Sequence, residues 1–209
     1  MMLQQHPGGS ALTTRLIDCC AFSPNAIVVD VGCGSGETVE YLCERRGLDA
    51  CGVDSAENRL AEGRKRAPHL ALLQGNGERL PFPDASLDGV IAECSLSVMA
   101  NPEKAIKEFH RILRSGGTLG ITDVYVRLQE ETLTCYLPET GVDLLAIVRE
   151  NGFRIRVFED QSRCLREFVA SYIMRYGEAE ALQQCFPCCR MQSGQEKRKI
   201  GYFLLAAEK

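Results

Sequence analysis

Three glycines at alternate positions mark the stretch of this sequence that is best suited to bind a ligand. They are Gly32, Gly34 and Gly36 in the run VVDVGCGSGETVEYL, where small apolar residues lead through Asp30 into a helix-like segment. A tight turn alone would need one glycine, and each further glycine costs order in the folded chain. Backbone N–H groups at such a turn can face a ligand. The pattern therefore predicts that a ligand approaches the backbone here.

The residue after the third glycine argues against a dinucleotide as this ligand. Dinucleotide-binding turns carry G-x-G-x-x-G, with the pyrophosphate at the start of the following helix. Counted from Gly32, the third glycine of that pattern would fall at position 37, which is Glu37. A carboxylate there repels a diphosphate, whereas Asp30 and Glu37 suit a ligand with positive charge. A nicotinamide-dependent oxidoreductase is therefore disfavoured.

Two later loops carry polar residues directly after strand-like runs. Asp54 ends the run ACGVD, where an acid can hold two ribose hydroxyls, although it could also cap the helix that follows. Asn76, between two glycines after the third strand-like run, can donate to and accept from the edge of an adenine.

The elements that position these loops alternate between strand-like and helix-like patterns. The predicted strands cover 26–31, 49–54, 70–75, 86–94, 117–125, 153–160 and 201–209, and the predicted helices 36–47, 56–68, 102–117, 140–152 and 163–177. Such alternation is typical of a doubly wound α/β sheet of mostly parallel strands, and we expect the last strand to be antiparallel. Ligands of these sheets bind beyond the carboxyl ends of the strands, where the loops above lie.

Composition and charge exclude several classes of protein. The chain has 209 residues with 45% hydrophobic composition and a net charge of -4, which favours one globular domain over a nucleic-acid or acidic-membrane binder. No apolar run reaches the roughly 18 residues of a membrane span, and the first residues lack the pattern of a signal peptide. We therefore expect a cytoplasmic protein whose eleven cysteines are mostly reduced.

The order of the motifs closely resembles that of class I S-adenosylmethionine-dependent methyltransferases. VVDVGCGSG, GVD, GNGERLPFPDASLDGVIA and KEFHRILRSGGTLGITD follow one another at the usual spacing of the family. The resemblance, to small-molecule, type 11-like members, implies a Rossmann-like seven-stranded sheet, S-adenosylmethionine as cofactor and a small-molecule acceptor. It divides the single domain 1–209 into a helical cover (1–24), a cofactor-binding core (25–125) and a substrate side with the closing strands (126–209).

Carried over residue by residue, the resemblance also implies the cofactor site. The glycine turn would hold the methionine and ribose part, Asp54 the ribose hydroxyls, and residue 76 the adenine amine. The family usually has an acid where this chain has Asn76, so we expect a weakened adenine contact. The full predicted set is Asp30, Gly32, Cys33, Gly34, Gly36, Asp54, Ser55, Asn76, Gly77, Glu93 and Cys94.

The loop AECSLSVMANP, after the fourth strand, is expected to line the reaction centre. Glu93 at its start could be a general base, bind a cationic acceptor or be a solvated carboxylate. Tyr125 is the second catalytic candidate, because it and Asp123 are expected to close the fifth strand at the same rim. The chain lacks an N-P-P-Y sequence, which argues against nucleobase amine methylation.

The cysteine-rich run CFPCC leaves three interpretations open. Cys185, Cys188 and Cys189 could bind a metalloid or thiol-reactive acceptor, form a structural metal or redox site, or have no special role. No other metal site is predicted. Two alternatives to small-molecule methyl transfer therefore remain, a metalloid or thiol methyltransferase that uses these cysteines and a non-catalytic module that binds S-adenosylmethionine.

Overall fold

Seven strands form one mixed sheet in the computed structural model, which describes residues 6–127, 135–138, 140–177 and 199–209. The strands are β1 (Ile27–Val31), β2 (Asp49–Asp54), β3 (Ala71–Gln74), β4 (Leu87–Glu93), β5 (Leu113–Arg127), β6 (Arg154–Asp160) and β7 (Lys199–Glu208). The helices are α1 (Gly9–Cys20), α2 (Glu37–Arg46), α3 (Glu57–Arg66), α4 (Pro102–Ile112), α5 (Leu144–Glu150) and α6 (Ser162–Tyr176), with a short 3₁₀ turn at Leu96–Val98. None of the helices in these ranges has the length and apolar character of a membrane span.

The strand order β3-β2-β1-β4-β5-β7-β6 confirms the predicted doubly wound architecture. Strands β1 to β5 run parallel, and β7 lies antiparallel between β5 and β6. The chain reverses its direction across the sheet at β1, which has β2 on one side and β4 on the other. Ligands of such sheets bind at this switch point, beyond the carboxyl ends of β1, β2 and β4.

Hydrophobic cores cover both faces of the sheet. Helices α4 and α5 pack on one face through side chains such as Phe109 and Val148, and α1, α2 and α3 pack on the other through side chains such as Leu16 and Leu42. Successive residues of a strand point to opposite faces. On β5, Ile121 therefore lies in the core beneath α4, whereas Val124 lies in the core beneath α1.

Several element boundaries differ from the sequence-based expectation. Helix α4 ends at Ile112 rather than near residue 117, because Leu113 already pairs with Leu87 as the start of β5. Helix α5 begins at Leu144 rather than near residue 140, because the Asp143 carboxylate caps its first turn by accepting two backbone N–H groups. The loop after β4 contains the 3₁₀ turn Leu96–Val98, which the sequence analysis does not predict.

Candidate functional site

The glycine turn between β1 and α2 is anchored to the end of β2. The N–H groups of Gly32 and Cys33 donate to the Val53 carbonyl at 2.7 and 3.3 Å. All three glycines of the turn have positive φ angles, with +84° at Gly32. Only glycine adopts this conformation without strain, so the backbone shape of the turn depends on these residues.

The space above each glycine is occupied by another part of the protein. A Cβ on Gly34 would lie 3.0 Å from Nη2 of Arg59, and one on Gly36 would lie 2.8 Å from the Leu72 side chain. A Cβ on Gly32 would collide with Ser95 from the loop after β4. The glycines therefore allow neighbouring segments to close around the turn, a reason for their presence that the sequence interpretation did not include.

Asp54 connects the end of β2 to the glycine turn. One carboxylate oxygen accepts the N–H of Gly34 at 2.8 Å, and the other accepts the N–H of Ala56 at 2.8 Å. The second bond closes a turn before α3, but it does not fulfil the capping role considered for this residue, because the N-cap is Ala56 and no side chain caps the helix. A carboxylate can accept about four hydrogen bonds, so acceptor capacity remains for two ribose hydroxyls.

Four carboxyl groups give the switch point a negative potential. Burial raises the pKa of Asp30 well above its usual value, and the charges of Glu93, Asp54 and Glu37 raise it further. Glu37 itself accepts the hydroxyl of Ser35 at 3.0–3.1 Å. Such a cluster repels phosphate groups and stabilises a cation, so the residues fit a sulfonium-bearing cofactor better than a dinucleotide.

Glu93 lies at the end of β4, where threonine hydroxyls from three other elements meet its carboxylate. Thr13 of α1 donates at 3.1–3.2 Å, Thr38 of α2 at 3.1 Å and Thr122 of β5 at 3.5 Å. The His6 ring lies 3.3 Å from the Thr13 hydroxyl. Glu93 is therefore a half-buried, hydrogen-bonded carboxylate that ties α1 to the sheet, rather than a solvated one.

The loop after β4 is held against the sheet by polar contacts at its start. Cys94 has a φ of +51°, its N–H donates to the Thr122 carbonyl at 2.8 Å, and its sulfur lies 2.8 Å from the Tyr202 hydroxyl. The Ser95 hydroxyl donates to the Val31 carbonyl at 2.6 Å. This hydroxyl links the loop directly to the end of β1.

The remaining residues that are predicted to bind the cofactor lie in different environments. Ser55 and Asn76 are exposed, and the Asn76 side-chain oxygen accepts the N–H of Glu78 at 2.8 Å. Gly77 lies beneath Met99, whose methyl carbon would be 2.7 Å from a Cβ on the glycine. The Cys33 side chain is buried in the core beneath α1, so only its backbone belongs to the turn.

Tyr125 is not brought together with Glu93. Its side chain is 4% exposed and lies in the core beneath α4, with its ring centroid 6.2 Å from that of Phe203. The carboxylate of Glu93, by contrast, meets residues of α1 and α2 on the other face of the sheet. The expectation that both residues share one rim is therefore not met, because β5 continues to Arg127 and Tyr125 lies within it.

Within the described ranges, no three His, Cys, Asp or Glu side chains come together in the way that a metal site requires. The eight cysteines in those ranges are free thiols. Cys185, Cys188 and Cys189 lie outside the described residues, so the interpretations of that run stay open.

Comparison with known proteins identifies the class of this domain. Residues 29–121 match the family described as "Methyltransferase domain", and this segment contains the glycine turn, Asp54 and Glu93. Together with the strand order, the match shows that residues 29–121 carry the core of a methyltransferase domain with the class I fold, a family that uses S-adenosylmethionine.

The curated relatives align with only part of this chain. O-methyltransferase resE of Aspergillus sclerotiorum is 28% identical over 154 residues, which is 64% of this chain and 56% of that protein. An uncharacterized protein of Haemophilus influenzae is 31% identical over 166 residues, 71% of this chain and 66% of that protein. The crystal structure of the [4+2]-cyclase SpnF has a TM-score of 0.71 at 24% identity and covers 99% of this chain and 83% of that one. The chain thus spans less than two thirds of these curated relatives, and the cyclase shares the fold alone.

Proposed function

We propose that this protein transfers the methyl group of S-adenosylmethionine to a small-molecule acceptor. The observation that carries the proposal is the position of Asp54, whose carboxylate accepts the Gly34 N–H at the switch point of an acid-lined sheet. The match of residues 29–121 to a methyltransferase domain supports it.

The described residues provide complementary contacts for the cofactor. Asp54 would hold the ribose hydroxyls, and the glycine turn would approach the ribose and aminoacyl part. Asn76 would meet the adenine amine with its side-chain oxygen, which has a second lone pair beyond the one that accepts from Glu78. Asp30 and Glu93 would lower the energy of the sulfonium charge.

In this reaction the protein mainly orients the two reactants and excludes water. The cofactor supplies a methyl group activated by its sulfonium, and this group passes to a lone pair of the acceptor by in-line displacement, leaving S-adenosylhomocysteine. Holding the two reactants in line accounts for much of the acceleration in such reactions. Glu93 would accept a proton from an acceptor that must lose one, or hold a cationic acceptor, with its carboxylate oriented by the three threonines.

Charge limits the choice of acceptor. A phosphate or carboxylate group near the methyl group would be repelled by Asp30, Glu37 and Glu93, so we propose a neutral or cationic small molecule. The net charge of -4 disfavours nucleic acid. The free thiols in the described part of the chain suit a reducing compartment such as the cytoplasm.

A second candidate is a domain that binds S-adenosylmethionine without transferring its methyl group. The [4+2]-cyclase SpnF, whose fold this chain shares, belongs to a different reaction class by its name. A metalloid or thiol acceptor at Cys185, Cys188 and Cys189 is the other alternative. Formation of S-adenosylhomocysteine with an acceptor, in the wild type and in a C188S/C189S variant, separates these candidates.

Calorimetric titration tests the cofactor site first. We expect the wild type to bind S-adenosylmethionine but not NAD, and Asp54→Ala to weaken that binding by about tenfold or more, the loss typical of hydrogen bonds to a charged group. Asp49→Ala is the matched control, because Asp49 is exposed at the opposite end of the same strand. Equal affinity of the wild type and Asp54→Ala would contradict the assignment.

A further inference from the structure

Asp123, which the sequence analysis expects at the rim beside Tyr125, is a buried carboxylate to which the proposed reaction gives no role. Its side chain is 1% exposed and lies beneath the 3₁₀ turn after β4. One oxygen accepts the N–H of Ser97 at 2.8 Å, and the other accepts the Ser97 hydroxyl at 2.6 Å and the N–H of Val124 at 2.7 Å. Ser97 is thus held through both its backbone and its side chain.

The segment held by Asp123 forms the cover of the glycine turn. Two residues before Ser97, Ser95 lies directly over Gly32 and donates its hydroxyl to Val31. Two residues after Ser97, Met99 lies over Gly77. Movement of Ser97 would therefore displace the two side chains that contact the predicted cofactor-binding loops.

We propose that Asp123 is a positioning residue: in its ionised form it holds the segment Ser95–Met99 against the glycine turn and thereby sets the affinity for the cofactor. The identity of the ligand in this inference rests on the proposed function. The hydrogen bonds between Asp123 and Ser97 do not depend on that function. Asp123 touches no reacting atom, so it acts through Ser97.

The charge state of Asp123 matters because every neighbour that contacts it is a donor. A protonated carboxyl must itself donate a hydrogen, so it cannot accept all of these bonds as they stand. Either the Ser97 hydroxyl turns to accept instead of donate, or a bond from Ser97 or Val124 is lost, and each change weakens the hold on Ser97. Burial raises the pKa of Asp123 to about 6, and the hydrogen bonds from Ser97, Val124 and Leu96 oppose this rise. In the described part of the chain, the charge of Asp123 raises the pKa of Cys135 and of Tyr202. The pKa of each is itself raised by burial, so both are neutral near pH 6.

The test measures the dissociation constant of S-adenosylmethionine from pH 5 to pH 8. We expect the wild-type affinity to fall about tenfold as the pH drops through about 6, the effect of one lost hydrogen bond to a charged group. Asp123→Asn should bind about tenfold more weakly than the wild type at pH 8 and lack the step. Asp30 is unchanged in both proteins, so its contribution cancels and the difference between their profiles isolates Asp123.

Two further variants separate positioning from a general loss of structure. Ser97→Ala removes one bond that lowers the pKa of Asp123, so the midpoint of the step should move to higher pH. Thr118→Val is the matched control, because Thr118 is buried on the same strand before Asp123 and should follow the wild-type profile. The proposal would be overturned if the affinity of Asp123→Asn depended on pH as that of the wild type does. It would also be overturned if the midpoint of the affinity step in Ser97→Ala stayed at the wild-type pH.

Hydrogen exchange in the ligand-free protein tests the same contact without the proposed function. At pH 7.5, residues 94–99 should exchange faster in Asp123→Asn than in the wild type or Thr118→Val. If the wild type binds no S-adenosylmethionine but this segment exchanges faster in the variant, the proposed function fails while the hold on Ser97 stands. Unchanged exchange would overturn the role of Asp123 whatever the ligand.

Discussion

Ser95 lies so close above Gly32 that a Cβ on the glycine would be 2.3 Å from the Cβ of Ser95. The φ of +84° at Gly32 adds backbone strain for any other residue. We therefore expect Gly32→Ala to lower the free energy of unfolding by about 3 kcal/mol, from overpacking and strain together.

Gly47 provides the matched control for this prediction. It also has a positive φ, +64°, but a Cβ there would meet nothing within 4 Å. Gly47→Ala should thus show the backbone strain alone, about 1 kcal/mol. Urea unfolding of both variants measures the difference, and equal losses would mean that the loop after β4 moves away from the turn at little cost.

Cofactor binding should release protons through Asp30. The pKa of its carboxyl is raised by burial and by neighbouring carboxylates, and a sulfonium cation would lower it again by stabilising the ionised form. We expect S-adenosylmethionine to release protons on binding in the pH range where Asp30 titrates, and S-adenosylhomocysteine to release fewer. Calorimetry in two buffers with different ionisation enthalpies measures this release.

The same residue should shape the pH dependence of stability. Because the pKa of Asp30 is higher in the folded protein than its usual 3.8, folding is favoured by protonation, and this contribution is lost as the pH rises from about 4 through the folded-state pKa. Asp30→Asn should therefore lose less stability than the wild type over that range. Denaturant titrations at several pH values measure the slopes, and parallel slopes would contradict the expectation.

Replacing Glu93 should loosen α1. In Glu93→Gln one oxygen becomes an NH₂ group, so the hydroxyls of Thr13, Thr38 and Thr122 can no longer all donate to both oxygens as they do now. We expect a loss of about 1–2 kcal/mol in unfolding free energy and faster hydrogen exchange in residues 9–20. Glu62→Gln, at an exposed position of α3, is the control and should change neither quantity.

Burial should rank the reactivity of the thiols. The pKa values of Cys20, Cys33 and Cys135 are raised chiefly by burial, so little thiolate forms at pH 8. We expect iodoacetamide to label the partly exposed Cys19 and Cys164 well before these three in the native protein. Peptide mass spectrometry measures the order, and labelling in urea should abolish it.

The sequence predicted the strands, their order along the chain and the position of Asp54 at the end of β2, because these follow from local patterns. Apolar runs ending at glycine or an acid define β1 and β2, and Pro102 marks the start of α4, whereas the start of α5 after Asp143 was not predicted. The hydrogen bonds from Ser97 to Asp123 and from Thr13 to Glu93 join residues 26 and 80 positions apart, which no local pattern connects.

The placement of Tyr125 shows which information was missing. In the sheet, Glu93 pairs with Thr122, so these two side chains point to the same face. Tyr125 is an odd number of positions from Thr122 and must point to the other face. If the register between β4 and β5 were known, Tyr125 would be excluded as a partner of Glu93. The sequences of the two strands do not show which residues pair.

The position of β7 has a consequence for how the chain folds. In space β7 lies between β5 and β6, but in the chain it follows both of them. Until β7 is made and paired, β5 and β6 each present a bare edge whose backbone groups can pair with other chains. Contacts between distant parts of a sequence also form slowly. Aggregation of unfinished or heat-opened chains should therefore begin at these two edges, and a peptide with the sequence of residues 199–208 should suppress it.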